Sequence, residues 1–187
     1  AKGEIISGLC EKGQVILNLD DPHFYVWQTL AQSRRVWSFS LINEKASIYA
    51  SDIATTPTGS RFVLNLGLQK RQVELQLLGQ HNIANALAAA GAALALGLSL
   101  DQIVSGLAQV RPYQGRLVSH SLSQRRCLID DTYNANPSSV KAAIDVLQKC
   151  HGKRCFMLGD LAELGEQQVQ IHQRIGAQVA AAGIEQF

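Results

Sequence analysis

Three runs of alternating apolar and polar residues lie between residues 46 and 78 and constrain the fold more than any other pattern in the chain. They cover residues 47–53, 61–66 and 72–77, and a turn signal rich in Thr, Pro and Gly at 56–60 separates the first run from the second. Alternation with a period of two gives a strand one face toward a core and one toward solvent. The segment therefore predicts a three-stranded antiparallel sheet.

The residues before this segment follow a strand–helix–strand order. Residues 15–19 form a compact apolar run, 24–31 have helical spacing, and 35–40 alternate as a strand. This order is typical of a parallel sheet with crossover helices. Asp20 and Asp21 end the first strand, where carboxylates either face a ligand or form the turn before the next helix, and both interpretations stay open. The Ala-rich run 83–96 predicts a helix buried on most sides.

A second α/β pattern begins after the polar Pro- and Gly-containing stretch 111–115. Strands are expected at 117–122, 126–129 and 154–158, and helices from Pro137 onward and at 169–182. No G-x-G-x-x-G fingerprint follows a strand here, which argues against a classical dinucleotide binder. We expect an α/β protein with two domains, residues 1–112 and 113–187. The first holds a mostly parallel sheet with the antiparallel subsheet, and the second is the start of a Rossmann-like domain.

Composition excludes several classes of protein. The 187 residues carry a net charge of only +2, which argues against a nucleic-acid partner, and the longest apolar run is too short to cross a membrane. Cys10, Cys127, Cys150 and Cys155 have the spacing of neither a metal knuckle nor a redox pair. With no secretory signal at the start, reduced thiols in a cytoplasmic protein are expected. The absence of an initiator Met and the apolar run at 184–187 predict a piece of a longer protein.

The octet 79–86 joins the strand-rich segment to the Ala-rich helix. Gly79 allows a tight turn, and Asn82 and Asn85, three residues apart, can present their amides on one side of the helix. An amide offers a donor and an acceptor, which suits the edge of a heterocycle such as adenine. An N-cap followed by a packed helix explains the octet equally well, and both interpretations stay open.

A second polar stretch, 130–137, follows an apolar strand, which is a common ligand-site position in α/β proteins. Asp131 suits ribose hydroxyls or a metal-bound water, and Tyr133 suits contact with a base. Asn134 and Asn136 suit a hydrogen bond to a nucleotide or a role in shaping the loop. The alternative is an Asx-rich turn that caps the following helix. Arg116, beside Gly115 at the domain boundary, suits a phosphate, or is a surface arginine of a linker.

Four motifs in this order, at 79–86, 115–116, 130–137 and 158–165, closely resemble those of the Mur ligases of peptidoglycan synthesis. The resemblance covers essentially the whole chain. The form H-N-x-x-N-A-x-A-A is shared with the related folylpolyglutamate synthases. The forms D-D-T-Y-N-A-N-P and L-G-D-L-A-E-L-G are similar to those of the member that adds D-alanyl-D-alanine to UDP-N-acetylmuramoyl-tripeptide.

The resemblance implies roles for individual residues. Lys2 matches a lysine that is carbamylated in the family and helps to hold a magnesium ion. Asn82 and Asn85 match residues near adenine, Arg116 one near the phosphates, and Asp131 one near the ribose. Tyr133 and Asn134 would belong to the same nucleotide site. His81, which not all members share, is interpreted as structural, and the loop at Asp160 is a candidate contact for the dipeptide.

The implied activity is an ATP- and magnesium-dependent amide ligation in cell-wall synthesis, and hence in cell shape and division. Its substrates would be UDP-N-acetylmuramoyl-tripeptide and D-Ala-D-Ala, in a monomeric cytoplasmic enzyme without nucleic-acid partner or membrane insertion. Lys2 and Arg116 are the expected catalytic residues.

The family's phosphate loop, of the form G-T-N-G-K-T, is absent from the 187 residues. We therefore expect this polypeptide alone to lack ligase activity. Three alternatives stay open: another Mur or folylpolyglutamate-type ligase, a non-catalytic nucleotide-binding module, and a purely structural α/β domain whose Asn and Asp residues are all caps.

Overall fold

The computed structural model describes residues 3–56, 58–123 and 126–187. The chain forms two compact units, Ala1–Arg111 and Pro112–Phe187. Among the described residues, none of the helices combines the length and the apolar character needed to cross a lipid bilayer.

A five-stranded mixed sheet with the order β1-β2-β3-β4-β5 organises the first unit. Its strands are β1 (Gln14–Asn18), β2 (Arg35–Ser40), β3 (Ile48–Thr56), β4 (Gly59–Leu66) and β5 (Gln69–Leu75). β1, β2 and β3 pair in parallel, whereas β3, β4 and β5 pair antiparallel. The three predicted antiparallel strands are confirmed. They extend the parallel sheet directly, because Phe39 of β2 lies opposite Ile48 of β3.

Four helices accompany this sheet: α1 (Glu4–Ser7), α2 (Phe24–Ala31), α3 (Gln80–Ala95) and α4 (Leu100–Gln109). The main core joins one face of α3 and α4 to the strands, and its fully buried members include Phe62, Leu64 and Leu87. A smaller core joins α1 and α2 to β1. Ser99 begins α4 with a capping box, in which its hydroxyl accepts the backbone N–H of Gln102.

The helix α3 is exposed along one face and buried or half-buried elsewhere, which agrees with the prediction of a helix buried on most sides. Ile83, Leu87 and Ala90 face the core, whereas Asn85 and Ala89 are exposed. Alanine favours a helix without requiring burial, because its small side chain adds little apolar surface whether it is exposed or not. The open face leaves the polar residues at the start of α3 accessible.

The second unit contains a two-stranded antiparallel sheet and two longer helices. Its elements are β6 (Val118–Ser121), β7 (Cys127–Asp130), α5 (Pro137–Gln148) and α6 (Gln168–Ala181), with a short 3-10 turn at Gly165–Gln167. α5 and α6 pack through an apolar cluster that includes Val140, Ile144, Ile175 and Val179. Pro137 occupies the first turn of α5, as its fixed φ allows.

The strand predicted at 154–158 is wrong. Cys155 makes a single parallel bridge to Gln186, and a ladder needs successive pairings to form a strand. The segment is instead tied down by Arg154, which donates to the Gly183 carbonyl at 2.8 Å and to the Glu185 carboxylate at 3.1 Å. Hydrogen bonds from Arg154 lower the pKa of Glu185 to about 2. Of the predicted Rossmann-like pattern, the described residues of this unit show the helices α5 and α6 and one parallel bridge, between Cys155 and Gln186.

All four cysteines are free thiols, and three of them, Cys10, Cys127 and Cys155, are exposed.

Candidate functional site

The amides of Asn82 and Asn85 form a hydrogen-bonded pair at the start of α3. Gly79 is the N-cap, with a φ of +90° and no side-chain cap bond. Asn82 Nδ2 donates to the Leu78 carbonyl at 2.8 Å, and Asn85 Nδ2 donates to Asn82 Oδ1 at 3.3 Å. Neither asparagine side chain caps the helix, but Gly79 is its N-cap and α3 packs on the sheet, so the interpretation as an N-cap followed by a packed helix is correct for Gly79 and α3. Gly79 makes the tight turn that the sequence predicts.

The two asparagines differ in what they leave available to a ligand. Asn82 is half-buried and uses its amide on Leu78 and on Asn85, whereas Asn85 is exposed. An amide carries two donor hydrogens and an acceptor oxygen. Asn85 therefore retains a donor hydrogen and the Oδ1 acceptor on one oriented group, which is the pattern that the edge of adenine requires.

In the second unit, a tight turn precedes Leu117. The Arg116 N–H donates to the Tyr113 carbonyl at 3.0 Å, and Gly115, third in the turn, has a φ of +72°. A positive φ at this position is typical of a type II turn and favours glycine. The Gly115 carbonyl accepts the Tyr133 N–H at 2.9 Å, which ties the turn to the 130–137 stretch.

Three side chains stack at this junction. The Arg116 guanidinium carbon lies 4.4 Å from the centre of the Tyr133 ring. The Tyr113 ring meets the Tyr133 ring edge to face, with centroids 5.5 Å apart and planes at 90°. Arg116 thus covers one face of the Tyr133 ring, which is predicted from the sequence to contact a base. The guanidinium makes no hydrogen bond or ion pair with the described residues, so its N–H groups remain available to an anion.

Asp131 supports the backbone next to this stack. Its Oδ1 accepts the Leu117 N–H at 3.1 Å, and Leu117 has a φ of +50°, which is unusual for a residue with a branched side chain. Strained backbone that surrounding contacts hold in place often occurs at functional sites. Asp130 is used locally, since its Oδ1 accepts both the backbone N–H and the hydroxyl of Thr132.

The remaining asparagines of the 130–137 stretch divide between two roles. Asn136 is the N-cap of α5, and its Oδ1 accepts the backbone N–H groups of Ser138 and Ser139. Here the capping interpretation is correct. Asn134 is exposed, as is Asp160 in the loop before α6.

The carboxylates at the end of β1 stabilise loops. Asp20 accepts the Ser40 hydroxyl and the Leu41 N–H, and Asp21 accepts the His23 N–H at 2.7 Å. Asp21 thus stabilises the turn before α2, whereas Asp20 joins the end of β1 to the end of β2. Lys2 lies outside the described residues. Within them, no group of three or more His, Cys, Asp or Glu side chains is arranged to hold a metal ion.

The structure brings Arg116, Asp131 and Tyr133 together in the second unit and pairs Asn82 with Asn85 in the first. Tyr113 is the residue of this arrangement that sequence reasoning missed. The available signal was its position two residues before Gly115, where it is the first residue of a turn that ends at Arg116.

Comparisons with known proteins find similar proteins along nearly the whole chain. Residues 1–93 match the family model of the Mur ligase middle domain, and residues 115–186 match that of the Mur ligase glutamate ligase domain. The UDP-N-acetylmuramoyl-tripeptide–D-alanyl-D-alanine ligase of Escherichia coli K12 is 42% identical over 185 residues, which are 99% of this chain and 41% of that protein. The chain therefore spans less than half the length of this relative.

Solved structures show the same similarity. MurF from Acinetobacter baumannii superposes with a TM-score of 0.92 at 35% identity, over 99% of this chain and 40% of that one. The MurF ligase of Thermotoga maritima, solved in complex with ADP, shares the fold with a TM-score of 0.80 at 23% identity, over 95% of this chain and 40% of that one. With both domain models matched in order, the chain belongs to the Mur ligase family.

Proposed function

We propose that the protein to which these two domains belong is an ATP-dependent amide ligase that joins D-Ala-D-Ala to UDP-N-acetylmuramoyl-tripeptide. In the proposed reaction, a carboxylate oxygen of the tripeptide attacks the γ-phosphorus of ATP and ADP leaves. The dipeptide amine then attacks the acyl carbon, the C–O bond to phosphate breaks, and the amine loses a proton. The observation that carries the proposal is the similarity to D-Ala-D-Ala ligases along the whole chain.

The proposed nucleotide contacts follow the geometry of each unit. Asn85, oriented by Asn82, presents a donor and an acceptor to the adenine edge. Arg116 presents its guanidinium N–H groups to a phosphate, where a planar fork of donors fits two oxygens at once. Asp131, whose Oδ1 accepts the N–H of Leu117 directly after this arginine, is proposed as the ribose contact. Tyr133, through its contact with Arg116, and Asn134 are proposed as further members of the nucleotide site of the second unit, and Asp160 is proposed to contact the dipeptide.

Residues 1–112 are proposed as the later part of the central ATPase domain and 113–187 as the first part of the C-terminal domain. Closure of such a domain over bound substrates excludes water from a reactive acyl phosphate. The charge of the transferring phosphoryl group would be offset in part by Arg116, which makes this residue the catalytic candidate of the described chain.

Magnesium remains part of the proposal through the resemblance alone. The metal would supply charge neutralisation at the phosphates, with Lys2 as one ligand once carbamylated. The described residues offer no ligand set of their own, so no step is assigned to the metal.

A monomer in the cytoplasm is the proposed state of the enzyme. Both the location and the oligomeric state rest on the resemblance to the Mur ligases.

The test is ADP release by the full-length ligase with UDP-N-acetylmuramoyl-tripeptide and one of two acceptors, D-Ala-D-Ala or L-glutamate. We expect release that depends on the tripeptide and on D-Ala-D-Ala, and no product from residues 1–187 alone because they lack the phosphate loop. ADP release with a folate and L-glutamate, in place of the tripeptide and the dipeptide, would favour a folylpolyglutamate-type ligase. ATP binding without turnover would favour the non-catalytic module.

A further inference from the structure

The side chains of Tyr113, Tyr133 and Arg116 make one layered unit on the surface of the second domain. Tyr113 is 64% exposed and Tyr133 is 57% exposed, so the surrounding core holds neither ring tightly. Their order depends on the edge-to-face contact between them and on the guanidinium over Tyr133. Removing one member is therefore expected to loosen the other two.

The backbone explains why these three side chains meet. Tyr113 and Arg116 are the first and last residues of the turn closed by the hydrogen bond from the Arg116 N–H to the Tyr113 carbonyl. The Tyr133 N–H is bonded to Gly115 within the same turn. The side chains of Tyr113 and Arg116 thus project from the two ends of one turn onto the ring of Tyr133.

The stacking leaves the N–H groups of the Arg116 guanidinium available to bind an anion. A cation–π contact uses the flat face of the guanidinium, whereas oxyanions are bound by the N–H groups at its edge. An exposed arginine has many rotamers, and fixing one of them before a ligand binds reduces the entropy lost on binding. An edge-to-face partner stabilises the tyrosine ring on which the guanidinium rests.

We infer that Tyr113 is a positioning residue: it holds the ring of Tyr133, which in turn holds the Arg116 guanidinium edge-on toward a phosphate of the nucleotide. This inference rests on the proposed function. It also assigns Tyr133 to holding the arginine, with contact to the base left to other residues.

The first experiment observes the stack without any activity. In the full-length ligase with isotope-labelled arginine side chains, the ring current of Tyr133 shifts the Arg116 side-chain protons upfield. We expect Tyr133→Leu to abolish this shift, Tyr113→Ala to reduce it and Tyr113→Phe to retain it. Tyr25→Ala is the matched control, because Tyr25 is also an exposed tyrosine in edge contact with an aromatic ring, that of Phe24. An unchanged Arg116 signal in Tyr113→Ala overturns the inference.

The second experiment measures ATP-dependent ligation by the same variants. Loss of one aromatic contact corresponds to a rise in KM for ATP of about two- to tenfold in Tyr113→Ala, together with a lower kcat because Arg116 is also the catalytic candidate. Tyr113→Phe restores the wild-type KM, and Tyr25→Ala leaves it unaltered. If the signal shifts but KM does not, the inference is overturned. If the wild-type enzyme shows no ATP-dependent turnover, the proposed function fails, and the phosphate contact inferred here fails with it.

Discussion

Asn82 orients Asn85: the Oδ1 of Asn82 accepts a hydrogen from the Asn85 amide at 3.3 Å, while its own Nδ2 is anchored on the Leu78 carbonyl at 2.8 Å. The residue nearer the core thereby determines which way the exposed amide faces.

This relationship separates the effects of two substitutions. Asn82→Ala loses a half-buried hydrogen bond and is expected to lower the free energy of unfolding by about 1 kcal/mol and to raise KM for ATP. Asn85→Ala is expected to raise KM for ATP while changing stability by less than about 0.5 kcal/mol. Denaturant unfolding and ATP titration of the full-length ligase measure both quantities. Gln80→Ala, at an exposed position of the same first turn, is the control. Equal stability losses in the two asparagine variants would refute the anchoring role of Asn82.

Gly115→Ala is expected to destabilise the second unit. An added Cβ would lie 2.9 Å from the Tyr133 backbone nitrogen, and the φ of +72° is itself unfavourable for alanine. Gly152→Ala is the matched control, because its φ of +92° imposes a similar strain with no atom within 4 Å. We expect about 1 kcal/mol from strain alone at Gly152 and a larger loss at Gly115. Urea unfolding curves give both values. Equal losses of stability would show that the backbone at Tyr133 shifts to accommodate the added Cβ without lowering the free energy of unfolding.

Asn136→Ala and Asn134→Ala are expected to change different properties: the first changes stability and the second changes KM for ATP. Loss of the α5 N-cap lowers the free energy of unfolding by about 1 kcal/mol and leaves KM for ATP unchanged. Asn134 is exposed, so its substitution leaves stability near that of the wild type and raises KM for ATP. The same unfolding and kinetic assays apply. A stability loss at Asn134 with no kinetic effect would place that residue among the structural ones.

The ion pair between Glu185 and Arg154 gives stability a defined dependence on pH. Since the pKa of Glu185 is lowered from 4.5 to about 2 in the folded chain, its contribution is present above pH 4.5 and is lost as the pH falls toward 2. Unfolding measured across this window is expected to show a steeper loss of stability for the wild type than for Glu185→Gln. Lys141→Gln, which removes the exposed ion pair with Asp145, serves as a comparison. Parallel curves for wild type and Glu185→Gln would contradict the assignment.

The elements that sequence reasoning located correctly are those with a strong local signal. The alternating runs between residues 46 and 78 became β3, β4 and β5, because one buried face determines the position of each strand. Pro137 marked the first turn of α5 for the same kind of local reason, a φ that suits a helix start.

The errors concern features that depend on distant residues. The apolar run at 154–158 has the composition of a strand, but pairing with another strand decides the outcome, and Gln186 supplies only one bridge. Tyr113 carries no motif of its own, and its importance follows only from the ring that the turn brings to it.

The most direct test of the account follows an oxygen atom. UDP-N-acetylmuramoyl-tripeptide with an ¹⁸O-labelled terminal carboxylate is incubated with ATP, D-Ala-D-Ala and the full-length ligase, and the products are analysed by mass spectrometry. Activation through an acyl phosphate predicts one ¹⁸O in the released phosphate for each amide bond formed. Unlabelled phosphate, or phosphate released without amide product, would contradict the proposed function.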